Sequence, residues 1–150
     1  MSEHGVIVAW RRTSASFDYE VYNRDHSWSF DGGVQVRASA APAYHGDPDC
    51  VDPEEALVAA LSGCHMLTFL AVASRKRLTV DAYEDHATGF LEKNANGKPA
   101  VTRVVLRPRV RFSGSAAPSR DELARLHEQA HQNCIIANSV LATVTVEPAD

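Results

Sequence analysis

One stretch decides the fold of this chain: Asp52-Pro53-Glu54-Glu55-Ala56-Leu57-Val58-Ala59-Ala60-Leu61-Ser62-Gly63-Cys64-His65-Met66-Leu67-Thr68-Phe69-Leu70-Ala71-Val72-Ala73. An aspartate followed by proline, with Glu55 three residues further on, is typical of a capped helix N-terminus. The residues from Ala56 to Ala73 are apolar on nearly every face, and a helix of that kind must be buried on every side. Polar residues in its middle, such as Ser62 and Thr68, make it a poor membrane span. The stretch therefore predicts a long central core helix.

Strands are predicted on both sides of this helix. From Val6 to about Ala41 the chain has short runs of β-branched and aromatic residues, broken by Asp31-Gly32-Gly33, which favour an antiparallel meander of two or three strands. After the helix, residues 79–93 and 101–113 predict a β-hairpin joined at Asn94-Ala95-Asn96-Gly97. In the second of these strands apolar residues alternate with arginines, which is the pattern of a half-buried strand.

A second helix and a last strand complete the chain. Ser119-Arg120-Asp121-Glu122 is a capping box that opens a helix with apolar residues at helical spacing, and residues 140–146 alternate as a final strand. We therefore predict a single α+β domain over residues 1–150, with a meander, a long helix, a hairpin, a second helix and a strand in that order. Because the central helix is too apolar for a monomer of this size to cover, we also expect a homodimer.

Composition excludes several classes of protein. The chain has 150 residues, of which 45% are hydrophobic and 23% charged, an ordinary balance for one globular domain. Its formal net charge of −4 provides no basic surplus for binding a nucleic acid. No stretch reaches about 18 uninterrupted apolar residues, and the N-terminus lacks the basic start and apolar run of a signal peptide. We expect a soluble, cytoplasmic protein that binds neither nucleic acid nor membranes.

The chain has three cysteines, Cys50, Cys64 and Cys134, which are too few for a disulfide framework. Taken alone, Cys64 lies in the middle of a helix and is more typical of a small buried hydrophobe than of a nucleophile. Together with Cys134 it admits three interpretations: unpaired core thiols, a redox pair that closes a disulfide, or a metal site that also uses His65 and His131. The metal site is disfavoured because adjacent side chains on a helix point about 100° apart, and the chain has no Cys-x-x-Cys motif.

The stretch from Asp52 to His65 resembles the signature of the OsmC/Ohr family, the osmotically induced protein C and organic hydroperoxide resistance proteins. In that family a Pro-Glu pair precedes the peroxidatic cysteine at the offset that separates Pro53-Glu54 from Cys64. A second family motif resembles residues 130–134, followed by the Asn138-Ser139 turn and a last strand. The resemblance implies the OsmC-like fold, in an intertwined α+β homodimer with active sites at the subunit interface. It also implies a thiol-dependent peroxidase of the oxidative stress response that uses no metal, haem or other cofactor.

The same resemblance assigns roles to individual residues. Cys64 matches the peroxidatic cysteine, Cys134 the resolving cysteine, and Glu54 the acidic residue of the site. The family's activating arginine comes from an N-terminal strand or turn, where this chain offers Arg11, Arg12, Arg24 and Arg37. Arg24 is favoured, because the register of Arg24-Asp25, a few residues before Asp31-Gly32, resembles the organic hydroperoxide branch of the family.

The distance between Glu54 and Cys64 complicates this assignment. Burying a thiol in an apolar core disfavours its thiolate, so a guanidinium beside Cys64 is the expected remedy, and Glu54 would orient that arginine. Ten helical residues separate Glu54 from Cys64 by about 15 Å, so Glu54 must come from the partner subunit unless the helix bends. Two residues also depart from the family: Ile135 follows Cys134 where a proline is common, and Cys50 has no counterpart.

The predicted reaction reduces organic hydroperoxides to alcohols through a Cys64 sulfenic acid, which Cys134 resolves as a disulfide that a dithiol then reduces. Apolar neighbours such as Leu61, Leu67 and Phe69 would favour organic hydroperoxides over hydrogen peroxide. Family precedent makes a small dithiol, such as a lipoyl group, the expected reductant. Two other functions stay open: a non-catalytic dimer that binds an apolar ligand in its cleft, and a redox sensor whose disulfide alters an interaction with a partner.

Overall fold

The predicted order of elements is present in the computed structural model, which describes residues 1–113 and 117–149. The strands are β1 (Val6–Trp10), β2 (His26–Phe30), β3 (Gln35–Ala38), β4 (Thr79–Asp85), β5 (Thr88–Lys93), β6 (Pro99–Leu106), β7 (Pro108–Ser113) and β8 (Thr143–Val146). The helices are α1 (Pro53–Arg75) and α2 (Arg120–Asn133), with short 3₁₀ turns at Pro42–Tyr44 and Ala137–Ser139. The chain divides into two compact units, Met1–Ala56 and Leu57–Asp150, and a single domain over residues 1–150 stays a prediction.

The first unit contains an antiparallel sheet in the order β1-β2-β3, which confirms the predicted meander. Val8, Trp28 and Val36 lie opposite one another across this sheet, and such pairs of β-branched and aromatic residues stabilise antiparallel strands. The turn between β2 and β3 depends on Gly33, whose φ of 83° is a conformation that other residues rarely adopt.

The N-terminus of α1 is capped as the sequence predicts. The Glu55 N–H donates to Asp52 Oδ1 over 2.8 Å, and the Asp52 N–H donates back to the Glu55 carboxylate over 3.2 Å. This reciprocal pair satisfies two of the N–H groups that a helix start leaves free, and loss of such a cap typically costs about 1 kcal/mol of stability. Because the cap fixes where α1 begins, it also fixes the rotation of the side chains that follow, Cys64 among them.

The second unit contains two sheets rather than the one long hairpin that the sequence predicts. β4 pairs with β7 antiparallel, while β5, β6 and β8 form a second sheet in which β6 and β8 are parallel. The predicted turn at residues 94–97 is present between β5 and β6. The two long strands predicted over 79–93 and 101–113 are wrong, because each is broken in its middle.

The break between β6 and β7 falls at a proline. Pro108 has no N–H to donate to a ladder, and proline restricts the residue before it. That residue, Arg107, donates its N–H to Asp85 Oδ1 over 2.6 Å instead of to a neighbouring strand. The strands on either side of this point therefore pair with different partners. The last strand is also shorter than predicted, Thr143–Val146 instead of 140–146.

One face of α1 carries the core of the second unit. Its first half packs through Leu61 against Val104 of β6, and its second half packs through Phe69 against α2 and the β4–β7 sheet. Gly89 of β5 allows the helix to approach closely, because a Cβ there would lie 2.5 Å from Val58 Cγ2. Truncation of a buried phenylalanine such as Phe69 to alanine typically costs about 3–5 kcal/mol.

The opposite face of α1 is open in the single chain, so burial of the helix on every side stays a prediction that depends on the expected homodimer. Ala60, Leu67 and Ala71 are exposed, Leu67 to 65%, and Cys64 is partly exposed. These four residues have the spacing i, i+4, i+7 and i+11, and we call them the exposed stripe of α1. The helix has the length and composition of a membrane span, but core helices of soluble proteins pass the same test, and its other face packs against protein.

Candidate active site

Cys64 and Cys134 lie side by side although they are far apart in sequence. Cys64 is in the middle of α1, and Cys134 is the residue at which α2 ends. The two thiols are within hydrogen-bonding reach of each other, and both are free. The loop after α2 directs one amide at each sulfur: the Ile136 N–H donates to Cys64 Sγ over 3.5 Å, and the Ala137 N–H to Cys134 Sγ over 3.4 Å. The structure thus brings together the two cysteines that the sequence singles out.

The two thiols have different surroundings. Cys134 is 1% exposed, and burial, reinforced by its hydrogen bond with Cys64, raises its pKa to about 11. Cys134 is therefore a neutral thiol near pH 7. Cys64 is partly exposed, on the exposed stripe of α1. A reagent that arrives from solution meets Cys64 first and finds Cys134 behind it.

Hydrogen bonds on both sides of Cys64 hold this part of α1 in place. Ser62 Oγ donates to Asp85 Oδ2 over 2.5 Å, and the other oxygen of the same carboxylate accepts the Arg107 N–H over 2.6 Å. Thr68 Oγ1 donates to the Cys64 carbonyl over 2.8 Å. Hydrogen bonds to a charged acceptor are stronger than neutral ones, so Asp85 ties α1 firmly to the end of β6. These contacts fix the direction in which Cys64 points.

Two buried histidines join α1 to α2, and one of them, His65, directly follows Cys64 in the chain. His65 is 1% exposed and His127 is 3% exposed, and His65 Nε2 lies 3.1 Å from His127 Nδ1. The two ring planes are nearly parallel, 10° apart, and the ring centroids are 5.4 Å apart. This centroid distance is longer than the N···N distance by about two ring radii, as expected when the two nitrogens lie on the line between the ring centres. The rings therefore meet end to end and share one N–H···N hydrogen bond. Phe69 packs on the His127 ring, with 4.5 Å between centroids.

Neither histidine is charged at neutral pH. Burial lowers the pKa of His65 to about 4, an effect that His131 reinforces and Asp85 opposes, and burial with the neighbouring His65 lowers the pKa of His127 to about 4. Sequence reasoning overlooked His127. The signal that marks it is the spacing His127-Glu128-Gln129-Ala130-His131, which places two histidines four residues apart on one helix.

Arg24 belongs to the first unit, where it precedes β2. Its guanidinium donates to the carbonyl oxygens of Tyr19 and Tyr22 and lies 3.7 Å from the centroid of the Tyr22 ring. Two carbonyls and a cation–π contact give this arginine a fixed direction. Among the other arginines considered, Arg12 donates to backbone carbonyls and Arg37 forms an exposed ion pair with an aspartate. The identity of the arginine that activates Cys64 stays a prediction.

Glu54 lies in the first turn of α1, where a negative charge interacts favourably with the helix dipole. α1 is one helix from Pro53 to Arg75, so ten residues and about 15 Å of helix separate Glu54 from Cys64. A role for Glu54 beside Cys64 stays a prediction, and it requires a second copy of the chain.

One group of metal-ligating side chains in the described part of the chain has its ligand atoms within 4.8 Å of one another: Asp25, Asp47 and Cys50. Ser39, fully buried, lies among them, donating to Asp25 over 2.9 Å and accepting the Asp47 N–H over 3.0 Å. These hydrogen bonds account for the closeness of the three side chains, because they hold the loop around Asp47 against Ser39 and Asp25. The metal site considered from the sequence would use Cys64, His65, His131 and Cys134. Within residues 1–113 and 117–149, these four side chains do not bring three ligand atoms that close together.

Comparison with known proteins relates this geometry to one family. The family profile described as OsmC-like protein matches residues 46–149. A solved structure from Vibrio cholerae O1 biovar eltor, an OsmC-like protein of unknown function, is 49% identical and has a TM-score of 0.95. The similarity covers 99% of this chain and 100% of that one. No curated protein sequence matches the chain.

More distant structures share the fold. An organic hydroperoxide resistance protein from Elizabethkingia anophelis and another from Bacillus subtilis each have a TM-score of 0.71 and 18% identity. Each comparison covers 99% of this chain and 98% of the other. At that identity the likeness shows the fold alone, and it confirms the α+β architecture predicted from the sequence.

Proposed function

Because the chain belongs to the OsmC-like family, we propose that it is a thiol-dependent peroxidase that reduces organic hydroperoxides to alcohols in the cytoplasm. One observation carries this proposal: a partly exposed thiol, Cys64, has a buried neutral thiol, Cys134, directly beside it. A peroxidatic cysteine must be accessible to its oxidant, and its resolving cysteine must lie within reach of the sulfenic acid. The names of the two organic hydroperoxide resistance proteins support this choice of substrate class.

The reaction proceeds in three steps. The Cys64 thiolate attacks the terminal oxygen of the hydroperoxide, the O–O bond breaks, and the alkoxide leaves and takes up a proton to become the alcohol. The sulfur is oxidised to a sulfenic acid in this step. Cys134 then attacks that sulfur, so that an S–S bond forms and the sulfenic hydroxyl leaves with the Cys134 proton as water. A dithiol, such as a lipoyl group, reduces the disulfide by thiol–disulfide exchange and restores both thiols.

Groups around Cys64 support the first step. The Ile136 N–H that points at Cys64 Sγ favours negative charge on that sulfur, because a thiolate accepts a stronger hydrogen bond than a thiol does. We assign Arg24 the role of the cation that stabilises the thiolate. Glu54 of a second copy would then orient the Arg24 guanidinium.

The exposed stripe of α1 favours a homodimer around this site. Ala60, Leu67 and Ala71 are apolar and exposed, and they lie on the same helical face as Cys64. A second copy that covered this face would gain about 25 cal/mol for each Å² of apolar surface removed from water. It would also enclose the thiol in an apolar cleft, and such a cleft favours an organic hydroperoxide over hydrogen peroxide.

The test is a thiol count on the reduced protein before and after one equivalent of cumene hydroperoxide. The wild-type chain, which has three free cysteines, should lose two thiols and then turn over repeatedly when excess dithiol is supplied. The matched control Cys50→Ser should lose the same two thiols, whereas Cys64→Ser should lose none and have no activity. Retention of all thiols in the wild type would refute the proposal and favour a non-catalytic dimer that binds an apolar ligand. Loss of two thiols without repeated turnover would instead indicate a redox sensor.

A further inference from the structure

A cavity of about 430 Å³ lies between α2 and the residues of β8. Its polar lining comes from His127, Glu128, His131 and Thr145, and the rest of the lining is largely apolar. The two cysteines of the proposed peroxidase site are not among the residues that line it. The cavity is therefore a second feature of this unit.

Two ring nitrogens of the histidines at this cavity are unsatisfied. His127 Nε2 and His131 Nδ1 are both buried and have no hydrogen-bond partner among the described residues. His127 is only 3% exposed, so solvent does not compensate for the missing bond. Leaving a buried polar group unpaired destabilises the folded protein, because the group loses its hydrogen bonds to water. In native proteins such groups point to a bound water or ion, or to a functional role.

The spacing of these histidines is that of a chelate. His127 and His131 are four residues apart on α2, which places their Cβ atoms about 5–6 Å apart on one face of the helix. Glu128 follows His127 directly, so the segment reads His-Glu-x-x-His. Two histidines in this arrangement on a helix bind zinc in other protein classes, because both imidazoles reach one ion from the same side.

His65 supplies the outer partner that a metal-binding histidine needs. A ligating histidine characteristically donates its other ring N–H to an acceptor, which fixes the tautomer and the orientation of the ring. His127 Nδ1 lies 3.1 Å from His65 Nε2, in the end-to-end geometry of an N–H···N bond. When His127 donates in this bond, its Nε2 keeps a free lone pair, which is the state that a metal requires.

We propose that His127 and His131 bind a divalent transition-metal ion, zinc in the first instance, in the cavity between α2 and β8. Imidazole nitrogens suit zinc, nickel and copper(II) better than magnesium or calcium, which prefer oxygen ligands. Water molecules complete the coordination, and the Glu128 carboxylate, which also lines the cavity, balances part of the charge of the ion. This site takes no part in the thiol reaction, and the inference is independent of the proposed peroxidase function.

Zinc titration of the full chain tests this proposal once the cysteines are removed. Thiolates also bind zinc, and Asp25, Asp47 and Cys50 form a separate group, so the reference protein carries serine at Cys50, Cys64 and Cys134. We expect it to bind one Zn²⁺ per chain in competition with a chromogenic chelator. X-ray absorption at the zinc edge should show nitrogen and oxygen neighbours.

Two substitutions in that background separate the site from adventitious binding. His131→Gln should weaken zinc binding at least tenfold. His127→Asn should do the same, because its amide can keep the hydrogen bond to His65 while the Nε2 ligand is lost. The control His86→Ala removes an exposed histidine of the same unit and should leave the affinity unchanged. Absence of zinc binding in the reference protein, or undiminished binding in His131→Gln, would overturn the proposal.

Discussion

Acidification from pH 7 to pH 5 should destabilise this protein through His65 and His127. Both rings are neutral in the folded protein, with pKa values lowered from 6.5 to about 4. In the unfolded chain both return to the ordinary value, so between pH 6.5 and pH 4 the unfolded state binds two protons that the folded state excludes. The stability associated with this pair is thus present above pH 6.5 and is lost as the pH falls toward 4.

The magnitude follows from the number of protons. Each excluded proton changes the free energy of unfolding by about 1.4 kcal/mol per pH unit well inside this window. Integrated from pH 7 to pH 5, the loss is about 2 kcal/mol for each histidine and about 4 kcal/mol for the pair. Coupling between the two rings does not reduce this figure while both stay neutral in the folded state. The loss is a large fraction of the roughly 5–15 kcal/mol that stabilises a typical domain.

The assay is urea unfolding at pH 7 and pH 5, followed by circular dichroism at one protein concentration, with reductant and EDTA present. A double variant, His65→Leu with His127→Leu, replaces both polar partners by apolar groups and should lose most of the difference between the two pH values. His86→Ala should keep that difference, because its imidazole is exposed. An unchanged pH difference in the double variant, or an NMR titration of either ring near pH 6.5 in the folded protein, would refute the reasoning.

Three further outcomes concern the thiol site and the dimer. Cys134→Ser should complete one turnover and then over-oxidise at Cys64, seen as a sulfinic acid by mass spectrometry; steady turnover at the wild-type rate would remove Cys134 from the mechanism. Arg24→Ala should lower kcat/KM at neutral pH tenfold or more and recover partly at high pH, while Arg24→Lys should rescue poorly because an ammonium lacks the planar fork; an unchanged pH profile would exclude Arg24. A cysteine introduced at Ala60, on the exposed stripe of α1 near the midpoint between Glu54 and Cys64, should cross-link two copies in a chain with no other cysteine, and a folded monomer at micromolar concentration in sedimentation would contradict the dimer.

The elements that the sequence predicts well are those decided by local contacts. The start of α1 depends on Asp52 and Glu55, and the start of α2 depends on Ser119 and Glu122, each pair only three residues apart. The division of the long hairpin into two sheets is different, because the hydrogen bond from Arg107 to Asp85 joins residues 22 positions apart. Strand alternation is the same on both sides of such a break, so the pattern alone does not reveal it.

The candidate site also has parts that the sequence predicts and parts that depend on distant contacts. Family resemblance identifies Cys64 and Cys134 from motifs, and the structure brings them together. The amides that point at their sulfurs depend on the backbone of the turn after α2, which the identity of Ile136 does not encode. His127 was missed because its partner His65 is 62 positions away, and a buried histidine pair leaves no period in the sequence. The sequence signal that marks His127 is its spacing of four residues from His131 on the same helix.

The length of α1 makes the predicted site and the predicted dimer depend on each other. Glu54 and Cys64 lie on one helix, about 15 Å apart along its axis, so within one chain they do not meet. In a two-fold dimer each contact occurs twice, and Glu54 of one copy can face Cys64 of the other only if the two α1 helices run antiparallel. Such helices cross near the midpoint between the two, where Ala60 is small, exposed and on the same face of α1 as Cys64. Small residues allow two helices to approach closely. A parallel arrangement would place Glu54 opposite Glu54 and would leave Arg24 without its orienting carboxylate.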